Sequence, residues 1–474
     1  MSEESQPAAQ RRRVSGPGSA DKKPKRTKYA GQSRRDEVPK DPTLPRRRMN
    51  ARSIAIDALV RADTGSFANV DLPVRLRRSR LEQRDKDWVT DAVYGTLRRQ
   101  RYLDGLLAPL SKRPLSQLDP PVRAALRVGA YQFVNGVAPH AAVMETVAAT
   151  PPSAQKYVNG VLRALGRSGP PWPEAEDAAT DLSYPDWIVE ELTRNFGADD
   201  ARLALEAMNE PGAVTLRINT MRGDAAAVIR ELEQRGGSIE RGTLIDEALI
   251  IKGFGDIGAL RTVRDGRASP QDQGSQAIVA LLDPRPGEII LDVASAPGGK
   301  SCAAAERMND DGVVIAADVH ATRLRLVREA AGRLQLDSVH ALCASGVAMS
   351  FVPGTFDRVL LDAPCSGLGV LRRRPEARWR VQPQQVESLA ALQCSLLQAS
   401  AEVVKIGGRV VFSVCTMSRA ETIGIDEWAL TELPNFVALA PPSLPWRPLG
   451  RGAIILPHDA ATDGMYVLIL ERTS

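Results

Sequence analysis

The sequence EIILDVASAPGGKS, residues 288–301, decides the fold of the C-terminal half of the chain. An apolar run is followed by a loop with two glycines, a pattern that predicts a buried β-strand leading through a tight loop into a helix. In an open α/β sheet, ligands bind outside the carboxyl ends of the strands, where such loops lie. A ligand site is therefore expected here, although a plain strand-to-helix turn has the same residues.

Two classes of ligand fit this loop. Residues 294–301 differ from the phosphate loop G-x-x-x-x-G-K-[ST] only at Ala294, which replaces the first glycine, so a nucleoside triphosphate with magnesium near Asp362 is one candidate. The other is a nucleoside cofactor, because Asp318 ends the next apolar run, where a carboxylate binds ribose hydroxyls. The missing glycine disfavours the phosphate loop, and the absence of G-x-G-x-x-G favours S-adenosylmethionine over NAD.

Further apolar runs alternate with helical segments around this loop. They are GVVIAADV (312–319), DRVLLDA (357–363), GGRVVFSV (407–414) and GMYVLILER (464–472), with helices predicted at about 321–335 and 383–405. Strands that are apolar throughout and separated by helices indicate a parallel sheet covered on both faces. Residues 281–474 are therefore expected to form a Rossmann-like α/β domain.

The preceding sequence divides into a helical part and a mixed part. Residues 49–168 show helical periodicity without β-like alternation, which predicts an all-α domain of five to seven helices. A linker rich in glycine and proline follows, at 169–181. Residues 182–280 read as strand, helix and strand, which predicts a small α+β module.

The charge of the chain is unevenly distributed. Residues 1–48 contain 14 Lys and Arg against 6 Asp and Glu, whereas the whole chain has a net charge of only +5. This segment predicts a disordered basic arm that binds polyanions or only improves solubility. No apolar run approaches the roughly 20 residues of a membrane span, the N-terminus lacks a secretory signal, and five scattered cysteines fit a reducing cytoplasm.

Two of the cysteines occupy similar positions, in LLDAPCSGLG (360–369) and VFSVCTMS (411–418). Cys365 and Cys415 each follow an apolar run, so a parallel sheet places both at the edge where the cofactor is expected. Buried packing is one explanation. A metal site is disfavoured and no metal is predicted, because zinc prefers four ligands and His320, His340 and His458 are badly spaced.

Two thiols beside a methyl donor have a well-defined chemical use. Carbon 5 of cytosine is a poor nucleophile until a thiolate adds to carbon 6, and this covalent step divides a difficult reaction into two easier ones. One cysteine would attack and the other would assist release of the product. Asp362 could bind N3 and the amino group of the base if burial keeps its carboxyl protonated.

The same motifs resemble the RNA 5-methylcytosine methyltransferases. LDVASAPGGKS, AADVHATRL, LLDAPCSGLGVLRRRPEARW and VVFSVCTMSRAE are similar to motifs of that family, in the same order. RSIAIDALVR and YVNGVLRAL resemble a NusB-like RNA-binding domain found in the bacterial 16S ribosomal RNA branch. The resemblance implies a monomeric S-adenosylmethionine-dependent enzyme with small-subunit ribosomal RNA as its substrate.

The resemblance also implies a role for individual residues. Cys415 corresponds to the attacking cysteine and Cys365 to the one that assists release, although DNA 5-methylcytosine enzymes use the latter for attack. Asp362 faces the target base and the cofactor. The remaining cofactor contacts are implied for Ala294, Ser295, Ala296, Pro297, Gly298, Gly299, Lys300, Asp318 and Ser345.

The segment LRRRPEARW, residues 371–379, follows the first cysteine motif. Arginines suit RNA phosphates and an indole ring can stack on bases, although a solvated charged loop has the same composition. RNA contacts are thus predicted for Arg372, Arg373, Arg374, Arg378 and Trp379.

Two departures from the family pattern keep a rival function open. Ser345 stands where an acidic residue usually binds adenine, and Val414 replaces the usual threonine before the second cysteine. A non-catalytic RNA-binding or ribosome-assembly factor would explain both changes. Retention of both cysteines together with Asp318 and Asp362 favours an enzyme.

Overall fold

The computed structural model describes residues 50–474. The predicted basic arm at 1–48 lies outside the described residues. In the part that is described, no helix is both long and apolar enough to cross a membrane.

The first domain is all-helical, as the sequence predicts. Its seven α-helices are α1 (Ala51–Asp63), α2 (Ala68–Arg78), α3 (Gln83–Arg98), α4 (Gln100–Leu107), α5 (Pro120–Val134), α6 (Pro139–Ala149) and α7 (Gln155–Ser168). Helix α5 begins with proline, whose missing N–H and fixed φ suit the first turn. It is the central helix of the domain, because its mostly buried residues pack against α1, α3, α4, α6 and α7.

A small module with an antiparallel sheet follows. Its elements and the short helices before them are α8 (Ala178–Leu182), α9 (Asp186–Phe196), α10 (Ala198–Ala207), β1 (Val214–Ile218), α11 (Ala225–Glu233), β2 (Ser238–Arg241), β3 (Ala248–Lys252), α12 (Arg261–Arg264) and β4 (Ala268–Pro270). The sheet order is β2-β3-β1-β4, which confirms the predicted small α+β module. Apolar residues of α9 and α10, such as Ile188 and Leu205, share a core with the C-terminal domain.

The C-terminal domain is built on a nine-stranded sheet. Its elements are α13 (Gln273–Leu282), β5 (Ile289–Asp292), α14 (Gly299–Arg307), β6 (Val313–Asp318), α15 (Ala321–Leu334), β7 (Val339–Cys343), β8 (Phe356–Asp362), α16 (Pro383–Val403), β9 (Val404–Val414), α17 (Ile423–Glu432), β10 (Phe436–Ala438), β11 (Arg447–Leu449), β12 (Gly452–Ile455) and β13 (Met465–Arg472). The order is β11-β12-β13-β9-β8-β5-β6-β7. Strand β10 lies outside this order and pairs with the last residues of β13.

Both faces of this sheet are covered, as predicted. Leu291 and Val359 pack into the core on one face, whereas Ile290 and Leu360 pack into the core on the other. The predicted parallel pairing holds from β7 to β9 but fails at β13, which runs antiparallel to β9. A strand buried on both faces is apolar throughout in either direction, so its pattern does not reveal its orientation.

The five parallel strands β7, β6, β5, β8 and β9 position the candidate site. Their carboxyl ends meet at one edge of the sheet, with Asp292 opposite Leu360 and Asp362 opposite Ser413 in the pairing register. The glycine loop, Asp318 and both cysteine loops leave the sheet at this edge.

Candidate active site

Cys365 and Cys415 lie side by side at the carboxyl edge of the sheet. Their Sγ atoms are 3.3 Å apart, and both cysteines are free thiols. The loops that contain them are also joined through the backbone, since the Gly369 N–H donates to the Cys415 carbonyl at 3.0 Å. A Cβ at position 369 would lie 2.1 Å from the Gly464 carbonyl oxygen, so this close approach requires glycine.

Charges and burial give the two thiols different surroundings. The contact with Cys415 and burial raise the pKa of the Cys365 thiol well above its usual value. Burial lowers the pKa of Lys300, but the charges of Asp362 and Cys415 outweigh this effect and raise it. The Cys365 thiol and the Lys300 ammonium are therefore two groups that can stabilise negative charge on the Cys415 sulfur.

Asp362 has two partners at the end of β8. Its carboxylate accepts hydrogen bonds from Lys300 Nζ at 2.7 Å and from Ser413 Oγ at 3.0 Å. The contact of Asp362 with the target base stays a prediction, and the sequence did not reveal that Lys300 reaches this carboxylate.

The glycine loop is held in a fixed shape. Gly298 has φ +98°, and a Cβ there would lie 3.0 Å from the backbone of Val327 in α15. Arg323 donates to the Ala296 carbonyl at 2.6 Å, and Arg217 donates to the Gly299 carbonyl at 3.0 Å. The small module therefore supports the loop through Arg217, which is itself buried.

Asp292 lies beneath this loop as a buried carboxyl group with a single hydrogen-bond donor among residues 50–474. Burial raises the pKa of Asp292 to about 7, and the charge of Asp362 acts in the same direction, against the 2.6 Å hydrogen bond from Ser301. Its Oδ1 has no hydrogen-bond partner among the described residues, and neither has Ser295 Oγ. These two orphaned polar atoms mark places where a ligand can bind.

Asp318 ends β6 with its carboxylate almost fully buried. It accepts from the His320 N–H at 2.8 Å and lies 3.4 Å from the Arg323 guanidinium. Ser345, by contrast, is exposed on the loop after β7.

The charges around the loop discriminate between the two ligand classes. Three aspartates, Asp292, Asp318 and Asp362, interact electrostatically here, and Lys300 is already paired with one of them. A triphosphate would meet these carboxylates, whereas a ligand with a sulfonium and an ammonium group is attracted by them. The residues therefore fit S-adenosylmethionine better than a nucleoside triphosphate.

The residues of the segment 371–380, here called the strap, are mostly held inside the protein. Arg372 and Arg373 both bind Asp463, at 2.8 and 2.7 Å, and Arg373 also binds Asp272 at 2.6 Å. Asp272 is the N-cap of α13, so these arginines connect the strap to the catalytic domain.

The other end of the strap is attached to the helical domain. The Arg378 side chain has no exposed surface, donates to the carbonyls of Arg98 and Ser183, and stacks on the Tyr184 ring at 3.8 Å. The Trp379 indole N–H donates to the Leu97 carbonyl at 2.9 Å. The segment that follows Cys365 is thus tied to α3.

These contacts correct the predicted RNA contacts. Buried Arg372 and Arg378 cannot reach RNA phosphates in this structure, and Arg373 and Trp379 are already bound to protein groups. The charge pattern alone could not show this, because their partners belong to distant parts of the chain. Arg374 alone of the five is exposed, and its RNA contact stays a prediction.

Three polar residues of the site were missed from the sequence. Asp292 ends β5 directly before the glycine loop, and this position could have identified it. Glu421 and Gln393 contact the cysteine loops, but polar residues in a loop and on a helix gave no local signal. Residues 50–474 contain no cluster of three or more His, Cys, Asp or Glu that could hold a metal ion, and the absence of a metal stays a prediction.

Known protein families match three parts of the chain. Residues 279–471 match the 16S rRNA methyltransferase RsmB/F family, and residues 49–167 match the NusB family. Residues 184–258 match the ferredoxin-like domain of RsmF/B-like methyltransferases. The three domain types predicted from the sequence are thereby confirmed.

Individual proteins match over nearly the whole length. "Probable ribosomal RNA small subunit methyltransferase B" of Bacillus subtilis is 34% identical over 90% of this chain and 99% of its own. Ribosomal RNA small subunit methyltransferase B of Thermus thermophilus is 33% identical over 89% and 98%. The crystal structure of PH0851 superposes with a TM-score of 0.79 at 25% identity, over 90% of this chain and 99% of that one. The chain belongs to the RsmB/F family of 16S rRNA methyltransferases.

Proposed function

We propose that this protein transfers a methyl group from S-adenosylmethionine to carbon 5 of a cytidine in small-subunit ribosomal RNA. The observation that supports this most directly is the pair of free thiols 3.3 Å apart, beside the Asp362–Lys300 ion pair at the cofactor edge. Family membership supports ribosomal RNA as the substrate, and a substrate of this kind in bacteria supports a cytoplasmic location.

The cofactor would be held by the glycine loop and the aspartates around it. Residues 294–300 would hold its methionine and adenosine parts, Asp318 would bind the ribose, and Ser345 would contact the adenine. When bound, S-adenosylmethionine supplies an electrophilic methyl group on a sulfonium.

Cys415 is the nucleophile in this proposal. Its thiolate forms a bond to carbon 6 of cytosine, and the electron pair of the double bond makes carbon 5 nucleophilic. The Asp362 carboxylate accepts a hydrogen bond from the amino group of the base. Lys300 provides positive charge near the ring, where negative charge develops during the attack.

Cys365 acts when the product is released. The proton on carbon 5 leaves to solvent, the double bond between carbons 5 and 6 re-forms, and the bond from carbon 6 to Cys415 breaks. The departing sulfur takes the electron pair of that bond as a thiolate. The neighbouring Cys365 thiol keeps its proton and donates a hydrogen bond to that sulfur.

Identification of the methylated nucleoside tests this proposal. The protein is incubated with small-subunit ribosomal RNA and methyl-labelled S-adenosylmethionine, and the RNA is digested to nucleosides. We expect the label in 5-methylcytidine, and none with Cys415→Ala. Label in another nucleoside would contradict the chemistry, and tight RNA binding without transfer would favour an assembly factor.

A further inference from the structure

Glu421 is a fully buried carboxylate next to the two cysteine loops. It lies six residues after Cys415, just before α17, and its side chain has no exposed surface. No Lys or Arg pairs with it among residues 50–474, so no positive side chain offsets its charge there. A buried anion in such a place is costly unless hydrogen-bond donors replace water.

Five donors serve this carboxylate, enough to occupy the lone-pair sites of both oxygens. Oε1 accepts from the Ser366 N–H at 2.8 Å and from Gln393 Nε2 at 3.0 Å. Oε2 accepts from Ser418 Oγ at 2.9 Å, Thr416 Oγ1 at 3.1 Å and the Ser366 hydroxyl.

The donors come from both cysteine loops. Ser366 is the residue after Cys365, and Thr416 is the residue after Cys415; their hydroxyl oxygens are also 2.7 Å apart. Gln393 of α16 donates to the Pro364 carbonyl at 2.8 Å as well as to Glu421. Glu421 therefore fixes the residues that flank each sulfur.

The charge of Glu421 also acts on the chemistry of the pair. After the contact with Cys415, burial and the charge of Cys415, the Glu421 carboxylate is a further cause that raises the pKa of Cys365. A neutral side chain at position 421 would remove this effect together with part of the hydrogen-bond network.

We propose that Glu421 is a positioning residue that holds the two cysteine loops together and keeps the Cys365 thiol against the Cys415 sulfur. This role rests on the proposed function for its importance in catalysis, but the geometry can be tested without RNA or cofactor. Glu421 need not touch either substrate, because it acts through Ser366 and Thr416.

Capture of the thiol pair by phenylarsine oxide measures the geometry. This trivalent arsenical loses its oxygen as water and forms one bond to each of two neighbouring thiols. We expect rapid capture by the wild-type protein and loss of that capture in Cys365→Ala and Cys415→Ala. Capture should be about tenfold slower in Glu421→Gln, because the weaker hold on the two sulfurs outweighs the readier loss of the Cys365 proton. The matched control is Glu427→Gln, an exposed carboxylate of α17 paired with Arg419, which should react like wild type.

Turnover gives the second measurement. We expect the kcat of Glu421→Gln for methyl transfer to fall about tenfold or more, with the KM for ribosomal RNA unchanged within about twofold. The pH profile of kcat should shift to lower pH, because Cys365 loses its proton more readily in this variant. A residue needed only for stability would lower the melting temperature and leave the folded fraction with the wild-type profile. Ser366→Ala, which removes one donor, should show a smaller change in the same direction and serves if Glu421→Gln does not fold.

The outcomes separate this proposal from the proposed function. Normal capture and normal kcat in folded Glu421→Gln, or in Ser366→Ala where that variant is used, would overturn the role of Glu421. If the wild type transfers no methyl group but Glu421→Gln still slows arsenical capture, the proposed function fails while the positioning of the thiols stands.

Discussion

Arg378 and Glu421 are both fully buried charged side chains, and neither has an ion-pair partner among residues 50–474. Arg378 is surrounded by carbonyls and the Tyr184 ring, and Glu421 by hydroxyl and amide donors. Arg378 joins the strap to the helical domain, whereas Glu421 joins two loops within the catalytic domain. Buried charges can therefore connect parts of a fold through dipoles alone, provided that these dipoles are numerous enough.

Asp292 sharpens this comparison, because it is buried like Glu421 but has one hydrogen-bond donor, instead of five, in the described part of the chain. Burial raises the pKa of Asp292 to about 7, so the folded state binds more protons than the unfolded state between about pH 4 and 7. Wild-type stability should fall as pH rises through this range, by up to about 4 kcal/mol from this group.

Asp292→Asn should remove that slope while keeping the size of the side chain. Urea unfolding of both proteins at several pH values measures the difference. An equally steep slope in the variant would mean that Asp292 is not the group that titrates.

Arg378→Met tests the other side of the comparison. The change keeps an apolar stem but leaves the carbonyls of Arg98 and Ser183 and the Asn209 amide oxygen without their donor. Relief of the buried charge offsets part of this loss, and we expect a stability decrease of about 3 kcal/mol in urea unfolding.

The same variant separates a packing role from RNA binding. Methyl transfer should fall with the folded fraction, and the salt dependence of RNA binding should stay at the wild-type value. A salt slope that is smaller by about one phosphate contact would instead show that Arg378 binds RNA.

Trp379→Phe should have a smaller effect at the same junction. The ring remains, but the hydrogen bond from the indole N–H to the Leu97 carbonyl is lost. We expect a loss of about 1 kcal/mol in the free energy of unfolding. A loss several times larger would show that ring packing, not this bond, connects the strap to α3.

Arg374→Met should have the smallest effect on stability, within about 0.5 kcal/mol, because this side chain is exposed and unpaired among residues 50–474. If it contacts RNA, the affinity for ribosomal RNA should fall and the salt slope should decrease by about one contact. Unchanged affinity would remove the last of the five predicted RNA residues.

The sequence was informative where local pattern sets structure. The apolar runs predicted the strands of the central sheet, and the glycine loop and the two cysteine motifs were placed at one edge because parallel strands end there. The direction of β13 was not predictable, since a strand buried on both faces looks the same in both directions.

The main limit on prediction from the sequence was that many side chains bind partners that are distant in the chain. Lys300 is 62 residues from Asp362, and Arg378 is 280 residues from its acceptor Arg98. Charge runs show that arginines are present, but not whether they face RNA or a carbonyl of another domain. Glu421 was missed for the same reason, because its donors converge only after the two cysteine loops meet.

Covalent trapping tests the central claim most directly. Wild type, Cys365→Ala and Cys415→Ala are each incubated with small-subunit ribosomal RNA and S-adenosylmethionine, and denaturation-resistant protein–RNA adducts are measured on gels. The account predicts that Cys365→Ala accumulates the adduct, because release is impaired, and that Cys415→Ala forms none. An adduct in Cys415→Ala that is absent in Cys365→Ala would contradict it, since Cys365 would then be the nucleophile.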